Sequence, residues 1–317
     1  MNLSYKQRQI VDSTDKYMYV VAGAGSGKTR TLTERIIKLL SESKRGERVL
    51  AITFSNKAAN ELKERLLHSY TSDQLNDLVY VGTIHNFCME IVLQRGSSIG
   101  LPNDLHIFES FEDRFEIFKN ALDNVPQMKV KYQTAEGKID SKRMRELFEL
   151  LSKAKRNFKF PTDYSSKPLS QQLYQEYNDL MLSQNAIDFD DILLYAYRIL
   201  SEKPSITNIY QRVYKHICVD EAQDLNKAQY SVIKAIAGNT ASIMMVGDPN
   251  QAIYGFNGSS SRYMCIKFPK DYNAKKYELL ENYRSSQAVI NAAKIIEPNF
   301  EMKGQLPIKG EFKNLVQ

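Results

Sequence analysis

The eight residues AGAGSGKT at positions 22–29 constrain this chain more than any other stretch. The apolar run YMYVVAG (17–23) leads through them into TRTLTERIIKLLSES, whose apolar residues recur at helical spacing. A glycine-rich turn between a strand and a helix lets backbone N–H groups approach phosphate oxygens, and the helix N-terminus favours negative charge. Ala22, Gly23, Ala24, Gly25, Ser26 and Gly27 would form the cradle. Lys28 would reach the β and γ phosphates, and the Thr29 hydroxyl would hold Mg²⁺. The strict phosphate-loop template begins with Gly where this chain has Ala22. A dinucleotide fold fits less well. Gly23, Gly25 and Gly27 miss the GxGxxG spacing, and VLAITF (49–54) lacks the terminal acid expected to bind ribose. The stretch predicts a nucleoside triphosphate site.

The surrounding pattern predicts an α/β fold. VLAITF precedes the helical NKAANELKERLLHSY, while HICVDEAQD (216–224) and SIMMVGD (242–248) are short apolar runs ending in carboxylates. Strand–turn–helix repetition with continuous apolar strands argues for a parallel sheet covered on both faces. Between about Asn103 and Ser183 no strand is evident. FEDRFEIFKNALDNV, SKRMRELFELLSKAKRNF and LSQQLYQEYNDLMLSQN read as amphipathic helices of an inserted subdomain, with FPTDYSSKP as a loop. Residues 142–159 carry seven basic side chains, Lys155 among them, and such a run reads first as a solvated helix face.

A triphosphate site needs a second acid. Asp220 and Glu221 end an apolar strand, where a parallel sheet delivers residues to the phosphate edge. Asp220 is the expected Mg²⁺ partner, and Glu221 is placed to orient or deprotonate the attacking water.

The motifs resemble, in order and wording, the UvrD, Rep and PcrA group of superfamily-one DNA helicases. The blocks are LSYKQRQIV, AGAGSGKTRTL, AITFSNKAANEL, GTIHNF, IDFDDIL, VDEAQDLN, VGDPNQAIYGFNG and LLENYRSS, covering residues 1 to about 290. The resemblance implies a RecA-like lobe that uses ATP and Mg²⁺ and acts on single-stranded DNA and single-strand/double-strand junctions. It implies that Gln7 selects adenine, Arg30 braces the nucleotide, Tyr283 stacks on adenine and Arg284 is an arginine finger. Gln251 would sense the γ-phosphate. Phe54, Ser55, Asn56, Thr83 and His85 would line the DNA path, with Tyr254 and Phe256 touching bases. Phe256 and Asn257 stand where the family usually has Trp and Arg, Ala222 where a bulky aromatic is common, and Leu225 where Thr is common.

Family members are about twice this length, and the wording of two later motifs is missing. The expected division is therefore 1–102 and 184–281 for the RecA-like lobe, 103–183 for the insertion, and 282–317 for the start of a second RecA-like lobe. The implied function is that of an ATP-dependent helicase or translocase moving 3′ to 5′, this chain being its N-terminal motor half, weak or inactive alone. The competing reading is a nucleotide-gated single-stranded DNA-binding module. A P-loop kinase is disfavoured because the chain carries the NYRSS block and the aromatic loop instead of an acceptor pocket and lid.

Composition agrees without deciding. The net charge of +6 permits an acidic partner such as nucleic acid. The N-terminus is polar, apolar runs are too short to span a bilayer, and Cys88, Cys218 and Cys265 show no ligand spacing. A cytoplasmic protein with reduced thiols is expected, with partners in repair or replication.

Overall fold

The computed structural model describes residues 3–133, 140–255, 258–296 and 302–305. Helix α1 (Tyr5–Asp12) leads to β1 (Tyr17–Ala22), α2 (Lys28–Glu42), β2 (Arg48–Thr53) and α3 (Asn56–Leu66). Next come α4 (Ser72–Leu78), β3 (Val79–Thr83) and α5 (Ile84–Arg95). The insertion opens on β4 (His106–Phe108) and continues through α6 (Phe111–Asp123), α7 (Pro126–Val130), α8 (Ser141–Arg156) and α9 (Pro168–Ser183). It closes on β5 (Ala186–Asp188), which pairs with β4 in parallel. The chain returns through α10 (Phe189–Glu202), α11 (Pro204–Val213), β6 (Tyr214–Val219), α12 (Lys227–Ala237) and β7 (Ser242–Gly247). It ends on α13 (Phe268–Tyr272), β8 (Lys275–Leu279), β9 (Glu281–Ser286), α14 (Gln287–Ile296) and β10 (Lys303–Gln305).

Six strands form one parallel sheet in the order β3-β2-β6-β7-β1-β8. Successive side chains of a strand point to opposite faces, and the core obeys this rule. Leu50, Ile52, Ile217, Val219, Ile243 and Met245 pack on one face with α5, α10 and α12. Val49, Ala51, Cys218, Met244 and Val246 pack on the other with α2 and α3. Both faces are therefore dry, which is why β2 and β7 read as unbroken apolar runs rather than alternating ones. A third core, built around Phe118, Phe148 and Tyr177, belongs to the insertion.

This is the α/β, RecA-like lobe with a helical insertion that the sequence implies. Six strands escaped the pattern, β3, β4, β5, β8, β9 and β10. β8, KKYEL, is a sheet edge whose outer residues are exposed lysines, a composition that suits an edge and hides a strand. β3 was masked by the motif that follows it, and β4 is three residues long.

Strand order fixes the geography of the site. β6 and β7 lie between β1 and β2, so the loop after β7 sits between the phosphate loop after β1 and the acidic pair after β6. The ends of β2 and β3 lie on the far side of that acidic pair.

Candidate nucleotide site and adjoining aromatic track

The phosphate loop is held open by backbone that only glycine adopts easily. Gly25 (φ +71°) and Gly27 (φ +81°) are left-handed, and Gly27 caps α2. A side chain on Gly27 would meet Gln7 Nε2 at 2.6 Å, and one on Gly25 would meet the Arg284 Cβ at 2.7 Å. The loop is thus wedged between α1 and β9.

A cleft of about 800 Å³ opens over this loop, within the range of small-molecule sites. It brings together Gln7, Ala24, Gly25, Gly27, Lys28, Thr29, Arg30, Glu221, Gln251, Tyr283 and Arg284. Ala22 and Ser26 are buried beneath it, and Gly23 is packed against Met302. Lys28 Nζ lies 3.4 Å from Glu221 Oε2 and 3.4 Å from Gln251 Oε1. Such separations are at the loose end of hydrogen bonding, so the ammonium can turn to a phosphate without breaking a strong pair.

Asp220 is buried at the end of β6, its backbone N–H donating to the Ile52 carbonyl at 2.8 Å. Burial, followed by the neighbouring Glu221 charge, pushes its pKa up to about 6. A cation beside it would offset that cost, and the donor set suits magnesium. Thr29 and Asp220 supply one hydroxyl and one carboxylate, leaving the remaining positions to phosphate and water as Mg²⁺ prefers. Among the described residues no cluster of three or more His, Cys, Asp or Glu side chains could hold a metal alone. Glu221 has φ +48°, a sparsely populated backbone for a non-glycine residue, found here on the side chain expected to act on water.

Gln7 has two other duties. Its Oε1 accepts from the Ser4 N–H at 3.0 Å in the cap of α1, and its Nε2 donates to the Ser26 carbonyl at 3.1 Å. An amide still has one N–H and one lone pair to spare, the pair of groups that an adenine edge requires. Tyr283 is 41% exposed and stands near Arg30 and Ser4 at the same end of the cleft.

The residues expected on the DNA path line the far end of the sheet edge. The Phe54 ring is exposed and lies 4.7 Å from Tyr254, so the loop after β7 reaches across to the end of β2. The Ser55 and Thr83 hydroxyls cap α3 and α5 by accepting from Ala58 and Asn86 N–H groups. Asn56 accepts from Asn86 Nδ2 at 3.0 Å. His85 stacks on Phe189 at 4.3 Å, and burial lowers its pKa to about 4. The ring is therefore neutral near pH 7. Phe256 and Asn257 lie outside the described residues.

Four residues at these sites were not anticipated. Phe189, within IDFDDIL, exposes its ring beside His85. Arg65 on α3 lines the nucleotide cleft. Gln223 is buried, donating to Glu221 Oε2 at 2.9 Å while its Oε1 accepts from Asp248 N–H at 2.9 Å. It ties the acidic pair to the loop after β7. Asn282 is buried against the phosphate loop. The DEAQD and ENYRSS wording was the available signal for the last two.

The parallel sheet, phosphate loop and acidic strand end define a P-loop NTPase of the helicase type. The sequence model of the UvrD/REP helicase N-terminal domain matches residues 3–273, and the chain belongs to that family. It is 34% identical over 314 residues to the ATP-dependent DNA helicase PcrA of Staphylococcus aureus strain Mu50. It is 33% identical over 313 residues to the protein of the same description from Staphylococcus epidermidis strain ATCC 35984. Each alignment covers 95% of this chain and 41% of the relative, so the chain spans less than half the length of these proteins.

Proposed function

We propose that this chain is the ATP-binding motor lobe of a DNA helicase or translocase. The observation that carries the reading is the loop after β7. Its Gln251 lies beside Lys28 in the nucleotide cleft, while its Tyr254, three residues on, packs on Phe54 at the aromatic track. One short segment touches both sites, the arrangement that coupling between nucleotide and DNA would need.

In the proposed reaction, the oxygen of a water molecule bonds to the γ-phosphorus and the bond to the β–γ bridging oxygen breaks. ADP and phosphate leave. Glu221 takes the water proton, Lys28 and Arg284 stabilise the developing negative charge, and Gln251 registers the γ-phosphate. A magnesium ion held by Thr29 and Asp220 would neutralise charge on the β and γ phosphates. Gln7, Arg30 and Tyr283 hold the adenosine. On the other side, Phe54, Tyr254 and Phe189 offer faces for base stacking, which tolerates any sequence, as a motor requires; the contact expected of Phe256 falls outside the described residues. Ser55, Asn56, Thr83 and His85 complete the path for a single strand next to a duplex junction. Stepping, 3′ to 5′ by the family resemblance, needs a second RecA-like lobe closing on the nucleotide. The setting is cytoplasmic, and among the described residues no helix is long and apolar enough to cross a membrane.

The test is ATP hydrolysis by the 317-residue chain with and without oligo-dT, with Glu221→Gln as control. ATP binding with negligible turnover is expected, because a complete site takes groups from the second lobe. Hydrolysis unaffected by Glu221→Gln would remove Glu221 from its role. The same loop, with Gln251 at the cleft and Tyr254 at the aromatic track, also suits a second reading for the chain alone, a nucleotide-gated single-stranded DNA binder. That reading predicts that ATP changes the affinity for oligo-dT without being consumed.

A further inference from the structure

We propose that Asn282 is a positioning residue that makes the placement of Arg284 depend on the phosphate loop. The proposal rests on the reading of the cleft as an ATP site with Arg284 at the γ-phosphate.

Asn282 begins the segment that carries Tyr283 and Arg284, and it is 3% exposed. Its Nδ2 donates to the Ala24 carbonyl at 2.7 Å. Its Oδ1 accepts from the backbone N–H of Arg284 at 2.8 Å and of Ser285 at 2.7 Å. One amide therefore binds the phosphate loop with its nitrogen and the backbone under the arginine with its oxygen. A second bond runs alongside, from the Tyr283 N–H to the Gly25 carbonyl at 2.8 Å. Packing reinforces the tie, since a side chain at Gly25 would meet Asn282 Oδ1 at 2.8 Å as well as the Arg284 Cβ.

The consequence follows from what a phosphate loop does. Each peptide unit is a rigid plane, so any turn of this loop's N–H groups toward phosphate oxygens would turn the carbonyls of the same units with them. The Ala24 and Gly25 carbonyls are the two that hold β9. A shift in the loop thus passes directly to Asn282, and from its oxygen to the backbone of Arg284. Without the amide, Arg284 stays beside the cleft but loses its fixed aim. Binding of diphosphate, which lacks the γ group, needs no such aim.

The test is a double-mutant cycle on the full chain, with Asn282→Ala, Arg284→Ala and both together. The readout is the ratio of affinities for a non-hydrolysable ATP analogue and for ADP, measured with fluorescent nucleotides. The unaltered chain should prefer the triphosphate. Loss of a charge-assisted contact to phosphate should cost about 10- to 100-fold in that preference. Asn282→Ala should abolish most of the preference, with a smaller loss for ADP than for the triphosphate analogue, because only the triphosphate presents a γ group to Arg284. The double variant should be no worse than Arg284→Ala, because the two residues act through one contact. A urea unfolding curve of Asn282→Ala beside that of the unaltered chain separates lost aim of Arg284 from a folding defect. Full triphosphate preference in a folded Asn282→Ala chain, or strictly additive losses, would overturn the proposal. Equal binding of both nucleotides by the unaltered chain would remove the Arg284 reading, and the proposal with it.

Discussion

Lys28 and Lys155 each stand between two oxygen-bearing side chains, yet they belong to opposite kinds of cluster. Lys28 lies 3.4 Å from both Glu221 and Gln251, and its carboxylate partner is 35% exposed. Lys155, on α8 of the insertion, lies 2.7 Å from both Asp188 and Asp191, with no exposure of the ammonium or of Asp188. Tyr177 donates a further hydrogen bond to Asp188 at 3.0 Å, and Lys155 sits over the Tyr177 ring. Burial works against the Lys155 charge, but Asp188 and Asp191 outweigh it and push its pKa up. Burial would likewise raise Asp188, but the Lys155 ammonium holds that carboxyl below the usual range. Asp191 is pushed up to about 7, by burial and then by the Asp188 charge. Loose pairing beside water leaves Lys28 free to exchange its partners for a phosphate. Tight pairing in a dry core leaves Lys155 nothing to exchange. On the proposed reading, one cluster is built for a ligand and the other for a junction.

That junction bears on the proposed DNA path. Asp188 and Asp191 cap α10 reciprocally, and Phe189, between them, stacks on His85. Lys155 thus ties the insertion to the turn that presents an exposed aromatic ring.

The contrast predicts a large loss of stability at the closed cluster. Lys155→Met leaves two buried carboxylates without a cation and should cost about 3–5 kcal/mol in a urea titration. Adding Asp188→Asn and Asp191→Asn should recover part of this, since asparagine also caps helices. A shift below about 0.5 kcal/mol for Lys155→Met, the size of an ordinary surface substitution, would show that the cluster is not a structural lock. At the open end, Tyr254→Ala should weaken oligo-dT binding by about 1–3 kcal/mol. Unchanged affinity would return that ring to a packing role against Phe54. The smallest effect concerns His85. With its pKa lowered to about 4, it stays neutral where an unfolded histidine (6.5) would charge. Its contribution to stability is therefore present above about pH 6.5 and lost as pH falls through about 4. Between about pH 5.5 and 8 it adds no charge for a phosphate to meet. His85→Gln should leave the pH profile of oligo-dT affinity unchanged across that window. A profile that flattens in the variant would mean the ring titrates there.

What could be read in advance follows the same division. AGAGSGKT and the Asp220–Glu221 pair are legible because contiguous residues carry both the chemistry and the backbone geometry. The sequence reads Lys155 as part of a solvated basic face, and the structure corrects this. It lies four residues after Leu151 and seven after Phe148, on the buried stripe of α8, and its partners are 33 and 36 residues away. Gln223 and Asn282 escaped for a like reason, reaching partners 25 and 258 residues distant. Side chains whose purpose is to join remote segments leave little trace in a local pattern.

The most direct measurement is a fluorescent ATP titration of the chain and of Lys28→Ala, each alongside a urea unfolding curve. The open cluster should lose ATP binding at no more than about 1 kcal/mol of stability, as for a partly solvated pair. Unchanged ATP affinity in a folded Lys28→Ala chain would contradict the nucleotide site itself.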